Sequence, residues 1–124
     1  MEKGLTYTSV AEVTADNTAI ALGSGDMDVF ATPALVALME NAAMNAVKSA
    51  LPEGSTTVGA MIQTSHIKPS AVGETVKATA VLQEVDGRKL TFSVSAVDSQ
   101  GAVGEGTHIR YVVDRERFLA KLKK

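Results

Sequence analysis

Residues 28–50 read DVFATPALVALMENAAMNAVKSA, and this stretch predicts one long helix that is apolar almost all the way round. Thr32 and Pro33 make a favourable start, because a threonine oxygen can cap the free N–H groups of the first turn and proline fits the first helical position. The sequence LPEG at 51–54 ends the pattern. A helix of about 18 residues would span roughly 27 Å, which is enough to cross a small domain.

A single carboxylate, Glu40, lies near the middle of this helix. Asn41, Asn45 and Lys48 follow one narrow polar stripe. Glu40 instead falls among apolar residues at helical spacing. A carboxylate on an apolar face costs free energy unless it is paired or used. Glu40 is therefore either half of a structural ion pair or a functional group.

The composition is typical of a globular protein, and we expect residues 1–124 to form one domain. A net charge of −2 with dispersed charges gives no general attraction to nucleic acid or to an anionic membrane. The chain has no cysteine, which excludes disulfides, thiol catalysis and zinc–thiolate sites. The start of the chain lacks an apolar signal core, and no apolar run reaches the roughly 18 residues of a membrane span. We therefore expect a cytoplasmic protein.

Familiar catalytic motifs are missing from the sequence, which contains no GxSxG, P-loop, GxGxxG or HExxH. The two histidines show no spacing typical of metal ligands. We therefore expect neither a metal nor a cofactor.

Strand signals flank the helix on both sides. Residues 5–14 predict a first strand, and residues 18–22 (TAIAL) predict a short second one. Apolar residues alternate strictly on either side of the turn Asp86-Gly87, which is typical of a half-buried hairpin. Four antiparallel strands joined as a meander are expected at 56–67, 75–85, 89–97 and 102–113, followed by a short amphipathic helix at 115–122.

These elements predict an α+β fold in which an antiparallel sheet wraps around one long central helix. Gly104 and Gly106 interrupt one face of the last strand, where we expect the helix to approach closely. A chain of this length leaves the far side of the helix uncovered. We therefore expect a homodimer, or a tetramer built from it.

His66 is expected on the strand face that also carries Val58, Ala60 and Ile62, and this face should turn toward the helix. It is either a satisfied core or interface histidine or a group that transfers protons.

Three more polar residues are candidates for chemistry. Thr32 should cap the helix, and a hydroxyl beside free N–H groups is also where an anionic oxygen would be stabilised. His108 and Arg110 share one face of the last long strand. They belong either to a solvated strand edge or to a functional site.

The order of the elements and these residues resemble the hotdog-fold acyl-CoA thioesterases, and within them the fluoroacetyl-CoA thioesterase-like family. Thr32 and Glu40 are eight residues apart, and Glu40 and His66 are 26 apart. These spacings match the Thr, Glu and His catalytic group of that family. The resemblance runs from about residue 5 to residue 114 and is carried by 31–41 (ATPALVALMEN), 58–69 (VGAMIQTSHIKP) and 104–110 (GEGTHIR).

The resemblance implies a hotdog fold and hydrolysis of an acyl-CoA thioester at the interface of a dimer. Glu40 would attack the acyl carbon or activate water, His66 would assist proton transfer, and Thr32 would orient Glu40 or the acyl group. N–H groups of the helix would polarise the thioester carbonyl. Coenzyme A would enter only as part of the substrate.

The segment ahead of the helix departs from the fluoroacetyl-specific pattern, which has aromatic residues there. Residues 23–28 read GSGDMD, and Phe30 is the nearest aromatic residue. We therefore expect a small or medium acyl group and leave selectivity for fluoroacetyl-CoA open. The phosphates of CoA need cations at the mouth of the site. The predicted substrate-binding residues are Lys68, Pro69, Arg88, His108 and Arg110, with Lys89 as a further cation.

Two other functions remain open at this point. A hotdog hydratase or dehydratase would carry an HFP-type segment, or an Asp followed five residues later by His, but Asp28 is followed at that distance by Pro33. A non-catalytic module that binds acyl-CoA or another small ligand would keep the fold, with Glu40 and His66 as structural residues. Release of free thiol from a panel of acyl-CoA thioesters separates an enzyme from such a binder.

Overall fold

The computed structural model describes residues 1–123, which form a five-stranded antiparallel sheet packed on one long helix. The expected α+β hotdog architecture is therefore confirmed. In chain order the elements are β1 (Thr6–Glu12), α1 (Ala19–Leu22), α2 (Thr32–Val47), a 3₁₀ turn (Lys48–Ala50), β2 (Ser55–His66), β3 (Thr75–Asp86), β4 (Lys89–Asp98), β5 (Gly101–Asp114) and α3 (Arg115–Ala120).

The core lies between α2 and one face of the sheet. Alternate residues of β3 and β4 point into it, as the sequence pattern predicts, and the facing side of α2 contributes Leu35, Met39 and Val47. Such burial of apolar area is the main driving force for folding. The buried strand residues are Val76, Ala78, Ala80, Leu82, Leu90, Phe92, Val94 and Ala96.

The strand order is β1-β3-β4-β5-β2, so the expected four-strand meander is only partly right. Strands β3, β4 and β5 follow one another across the sheet. Strand β2 pairs with β5, its neighbour in space but not in sequence. Residues 67–74 therefore carry the chain from one edge strand to β3, and β2 becomes an edge of the sheet.

Residues 19–22 form the short helix α1, and the prediction of a strand at 18–22 is wrong. Thr18 caps this helix, because its hydroxyl oxygen accepts a hydrogen bond from the Ala21 N–H at 3.3 Å. Gly23 ends it with φ of 70°, a conformation that glycine adopts readily. Ile20 and Leu22 of this helix are about half exposed.

Strand β2 carries a β-bulge between Gly59 and Met61, where the register against β5 shifts by one residue. A bulge reverses which side chains face the core, because faces alternate along a strand. The prediction that Val58 and Ala60 share a face with His66 is therefore wrong. Ile62 stays on the His66 face, and Gly59 takes the place expected for Ala60.

Gly104 of β5 lies where α2 comes closest to the sheet. A Cβ atom there would approach the side chain of Leu35 to 3.2 Å and would overlap the backbone oxygen of Ser65. The expected close approach of the helix is thus confirmed at Gly104. At Gly106 the near atoms belong to the backbone of Gln63 and Thr64, so the neighbouring strand, not the helix, requires that glycine.

No helix within residues 1–123 combines the length and the apolar character needed to cross a membrane.

Candidate active site

Thr32 and His66 meet at the start of α2. The Thr32 hydroxyl and the His66 Nδ1 are 2.7 Å apart, within hydrogen-bond distance. Ala31, not Thr32, occupies the N-cap position, and no side chain caps the helix. The prediction that Thr32 is the N-cap is therefore wrong, because the residue lies one position inside the helix and its hydroxyl bonds to the imidazole.

The imidazole of His66 is partly withdrawn from water. Burial lowers the pKa of His66, and the nearby Lys68 backbone opposes that effect more weakly. Its Nε2 atom is buried and has no hydrogen-bond partner among residues 1–123. An imidazole in this state is neutral near pH 7, and it can accept a proton and pass it on.

A small cavity of about 230 Å³ opens beside the Thr32–His66 pair. Val29, Phe30 and Pro69 give it apolar walls, which suit the alkyl part of a short acyl group. The predicted substrate-binding residue Pro69 therefore lies next to His66. The full lining is Ala19, Ser24, Val29, Phe30, Thr32, His66 and Pro69.

Glu40 belongs to a second cluster, built around Arg110. The Oε2 atom of Glu40 lies 3.9 Å from Nη1 of Arg110. The Glu40 side chain is 39% exposed, whereas the Arg110 residue is only 7% exposed. Glu40 therefore opens to the surface of this chain with a buried cation behind it.

Hydrogen bonds fix the Arg110 guanidinium in one orientation. Its Nε donates to the Thr57 hydroxyl at 2.8 Å, and its Nη2 donates to the Thr57 carbonyl at 3.0 Å. Burial lowers the pKa of Arg110, and the charge of Glu40 offsets part of that effect. Arg110 therefore lies in the interior and faces Glu40. The alternative of a solvated strand edge is wrong for this residue.

His108 supports Arg110 from the other side. Its Nδ1 lies 2.7 Å from the Met61 carbonyl, which can only accept a hydrogen bond, so Nδ1 carries the proton. Its Nε2 is then free to accept from Arg110 Nη1 at 3.2 Å. Burial is the main cause that lowers the pKa of His108, and the charge of Arg110 adds to it. His108 is therefore a buried neutral residue and not a solvated one.

Two participants in this cluster were not anticipated from the sequence. Thr57 and Gly59 face Glu40 and Arg110 only because of the bulge in β2, and a Cβ atom on Gly59 would lie 2.7 Å from Glu40 Oε2. A regular strand pattern places both residues on the opposite face from Ile62. No signal in the sequence marks the bulge.

The predicted catalytic residues do not all converge within one chain. Thr32 and Glu40 are separated by two turns of α2, or about 12 Å along the axis. Along β2 the separation between Gly59, beside Glu40, and His66 is roughly 20 Å. Each chain therefore presents a Thr32–His66 pair and a separate Glu40–Arg110 cluster.

The cations proposed for the phosphates of CoA lie in different surroundings. Lys68 bonds to the buried Asp98 carboxylate and donates to the Pro69 carbonyl at 2.9 Å. Arg110 is buried beside Glu40. Arg88 is exposed in the turn between β3 and β4. Lys68 and Arg110 are thus already engaged by protein groups.

Residues 1–123 contain no group of three histidine, aspartate or glutamate side chains placed to hold a metal ion.

The sequence profile of a family described as fluoroacetyl-CoA-specific thioesterase (FlK) matches residues 13–116. A fluoroacetyl-CoA thioesterase from Streptantibioticus cattleyicolor is 41% identical over 96 residues, which are 77% of this chain and 69% of that protein.

Solved structures support the same relationship. The crystal structure of the fluoroacetyl-CoA thioesterase FlK superposes with a TM-score of 0.93 at 35% identity, covering 99% of this chain and 96% of that chain. A single-residue variant of FlK in complex with fluoroacetate and CoA superposes with a TM-score of 0.88, again at 35% identity, covering 95% of this chain and 99% of that chain. A thioesterase superfamily member from Thermus thermophilus has the same fold, with a TM-score of 0.90 at 21% identity, covering 98% and 90% of the two chains.

Proposed function

Because the chain belongs to the fluoroacetyl-CoA-specific thioesterase family, we propose that it hydrolyses the thioester of a small acyl group with CoA. The observation that carries this proposal is the 2.7 Å contact between Thr32 and His66 beside a small apolar cavity. A hydroxyl that orients a neutral imidazole next to an acyl-sized cavity suits general acid–base chemistry at a carbonyl group.

We place the working site between two copies of the chain. Strand β2 is an edge of the sheet, 12 residues long, and contains no Asp, Glu, Lys or Arg. Such an edge is a template for pairing with another strand. If two copies pair along β2 about a two-fold axis near Gln63, Gly59 of one copy falls opposite His66 of the other. Glu40, which lies over Gly59, then reaches the Thr32–His66 pair of the second copy.

The exposure of α2 agrees with this arrangement. Ala37 is exposed, although it lies on the apolar helix one turn before Glu40. A symmetric dimer that covers this part of the helix would form two identical sites.

The chemistry of each site follows from the groups it would contain. Glu40 either attacks the acyl carbon itself or takes a proton from water as the water oxygen attacks. The tetrahedral intermediate then expels the sulfur, the C–S bond breaks, and the CoA thiolate takes a proton through His66. In the route through Glu40 as nucleophile, water hydrolyses the resulting anhydride and restores the carboxylate. Both routes yield one carboxylic acid and one free thiol.

The cavity supports a short acyl group. Its volume of about 230 Å³ and the apolar walls of Val29, Phe30 and Pro69 suit a short chain. Acetyl-CoA and fluoroacetyl-CoA are therefore the first substrates to test, with longer acyl groups as the contrast.

Release of free thiol from acetyl-, fluoroacetyl-, butyryl- and octanoyl-CoA tests the function. We expect turnover of the short thioesters, and we expect Glu40→Gln to lower kcat by roughly 100-fold or more, because it removes the base or nucleophile. Glu105→Gln is the matched control, since Glu105 is an exposed carboxylate on β5.

Two results would contradict the proposal. One is a folded Glu40→Gln protein that releases thiol as fast as the wild type. The other is a wild-type protein that binds acyl-CoA without releasing thiol, which would identify a binding module.

A further inference from the structure

A second cavity, of about 350 Å³, lies at the carboxyl end of α2. Its walls come from the 3₁₀ turn, the loop at 51–54, the start of β2 and the first residue of α3. The N–H of Arg115 donates to the Gly54 carbonyl at 2.9 Å and so holds α3 against this loop. The lining residues are Met44, Lys48, Leu51, Pro52, Glu53, Gly54, Ser55, Thr56, Thr57 and Arg115.

Two cations face this cavity against one carboxylate. Lys48 and Arg115 line it together with Glu53. Within residues 1–123, neither cation lies within 4.0 Å of a carboxylate oxygen, the distance that defines the ion pairs of Lys68 and Arg110. The cavity therefore offers positive charge that the described part of the chain does not neutralise.

The cavity adjoins the Glu40 cluster along the helix. Glu40, Met44 and Lys48 are spaced four residues apart and so lie on one face of the helix, continued by the 3₁₀ turn. The distance from Glu40 to Lys48 is about 12 Å along the axis. Met44, which is 36% exposed, forms an apolar surface between the carboxylate and the ammonium.

A second connection runs through β2. Thr57 lines the cavity and also holds the Arg110 guanidinium, whose Nη1 lies 3.9 Å from Glu40. Thr57 therefore belongs both to the lining of the cavity and to the Glu40 cluster. A long ligand with its reactive end at Glu40 can lie along Met44 with its other end between the two cations.

We infer that this cavity binds the phosphate groups of the CoA part of the substrate, with Lys48 and Arg115 as the ligating cations. The inference rests on the proposed thioesterase function. Phosphates need cationic donors, and the uncharged pantetheine arm suits the apolar surface at Met44. Lys68 and Arg110, which the sequence favours for this role, are occupied by Asp98 and by Thr57.

The test compares substrates that carry successively less of the CoA nucleotide, and S-acetyl-pantetheine lacks the adenosine as well as the phosphates. Acetyl-CoA carries the diphosphate and the 3′-phosphate, acetyl-dephospho-CoA keeps the diphosphate alone, and S-acetyl-pantetheine has neither. We expect Lys48→Ala/Arg115→Ala to raise KM for acetyl-CoA by roughly 10-fold to 100-fold, the size of lost charge-assisted hydrogen bonds, with kcat unchanged. For S-acetyl-pantetheine, KM should not change.

Acetyl-dephospho-CoA distinguishes binding of the diphosphate from binding of the 3′-phosphate. An equal effect on acetyl-CoA and acetyl-dephospho-CoA assigns the cavity to the diphosphate, and an effect on acetyl-CoA alone assigns it to the 3′-phosphate. Glu53→Gln should lower KM for the phosphate-bearing substrates, because it removes the one negative charge in the cavity. Lys121→Ala is the control, since Lys121 is an exposed cation outside the cavity.

Other outcomes overturn the inference. It is wrong if the double variant keeps its KM for acetyl-CoA, or if KM rises equally for S-acetyl-pantetheine. If the wild type hydrolyses none of these thioesters, the proposed function fails. Calorimetric titration with CoA then tests separately whether the cavity binds the CoA phosphates. Unchanged CoA affinity in the double variant overturns the inference, and a loss of roughly 10-fold or more supports it.

Discussion

The imidazole of His108 holds the guanidinium of Arg110 in place by accepting its hydrogen bond. Because the Met61 carbonyl takes the Nδ1 proton, only a neutral imidazole has a lone pair to offer Arg110. A protonated His108 would place a second cation 3.2 Å from the first in the interior. The neutral state is therefore part of the structure around Glu40.

The burial of His108 predicts a pH dependence of stability. The pKa of His108 is lowered in the folded state, so below about pH 6.5 the unfolded chain binds protons that the folded chain does not. The free energy of unfolding should therefore fall as the pH drops from 6.5 toward the lowered pKa, by up to about 1.4 kcal/mol per pH unit for this residue.

Urea unfolding between pH 5.5 and 7.5 at one fixed protein concentration measures this slope. His108→Gln keeps a donor and an acceptor but does not titrate, so we expect a flatter slope. His66→Gln is the comparison, since it removes only the contribution of His66, whose pKa burial also lowers, and leaves that of His108 in place. An unchanged slope in His108→Gln would show that His108 titrates normally in the folded protein.

At the residue level, the sequence provided candidate residues but not their surroundings. Thr32, Glu40 and His66 could be chosen from their spacing and residue types. The hydrogen bond of Thr32 to His66, and the burial of His108 and Arg110, depend on contacts between residues 34 to 53 positions apart. Patterns within a short window do not report such contacts.

Among the elements, the loop from β2 to β3 is tied to the end of β4 by one buried carboxylate. The side chain of Asp98 is fully buried and accepts hydrogen bonds from Lys68 and from the Ser70 hydroxyl, the latter at 2.7 Å. Burial alone would raise the pKa of Asp98, but these bonds lower it to about 2. This contact positions the segment that follows His66.

Asp98→Asn should therefore loosen the loop that carries Pro69. The variant loses the charge that Lys68 binds, and we expect a loss of roughly 1–3 kcal/mol in the free energy of unfolding. We also expect higher KM for short thioesters, because Pro69 lines the cavity beside His66. Chemical unfolding and steady-state kinetics measure the two effects.

Asp86→Asn, in the exposed hairpin turn, is the matched control for this prediction. Equal stability of Asp98→Asn and Asp86→Asn would mean that the Lys68–Asp98 contact does not fix the loop.

Element prediction succeeded where local periodicity decides the structure. The alternation in β3 and β4 and the apolar pattern of α2 are local and strong. Residues 18–22 (TAIAL) predict a strand from their composition, but the structure has a short helix there, capped by Thr18 and Gly23. The bulge in β2 and the pairing of β2 with β5 are set by the whole sheet, so the sequence did not show them.

At the scale of the whole molecule, Glu40 and His66 belong to two separate clusters of one chain. The uncovered face of α2 led us to expect a second copy, but no local pattern in the sequence indicates how two copies would pair. With β2 at the edge and the bulge at Gly59, pairing of two copies would bring the separated groups together. We therefore propose that each site consists of Glu40 of one copy and Thr32 and His66 of the other.

Mixed dimers of two inactive variants test this claim most directly. Glu40→Ala and His66→Ala chains, co-expressed with different tags, would form one intact site in every mixed dimer, because the intact Glu40 and the intact His66 come from different chains. The control pairs Glu40→Ala with the Glu40→Ala/His66→Ala double variant, which cannot form an intact site in any combination.

Thiol release from a short acyl-CoA is measured for each variant alone and for the equal mixture at the same total concentration. Random pairing makes half of the dimers mixed, each with one working site of two, so we expect about one quarter of the wild-type rate. A mixture that contains mixed dimers but is no more active than the two variants measured separately would show that no site combines Glu40 of one chain with His66 of the other.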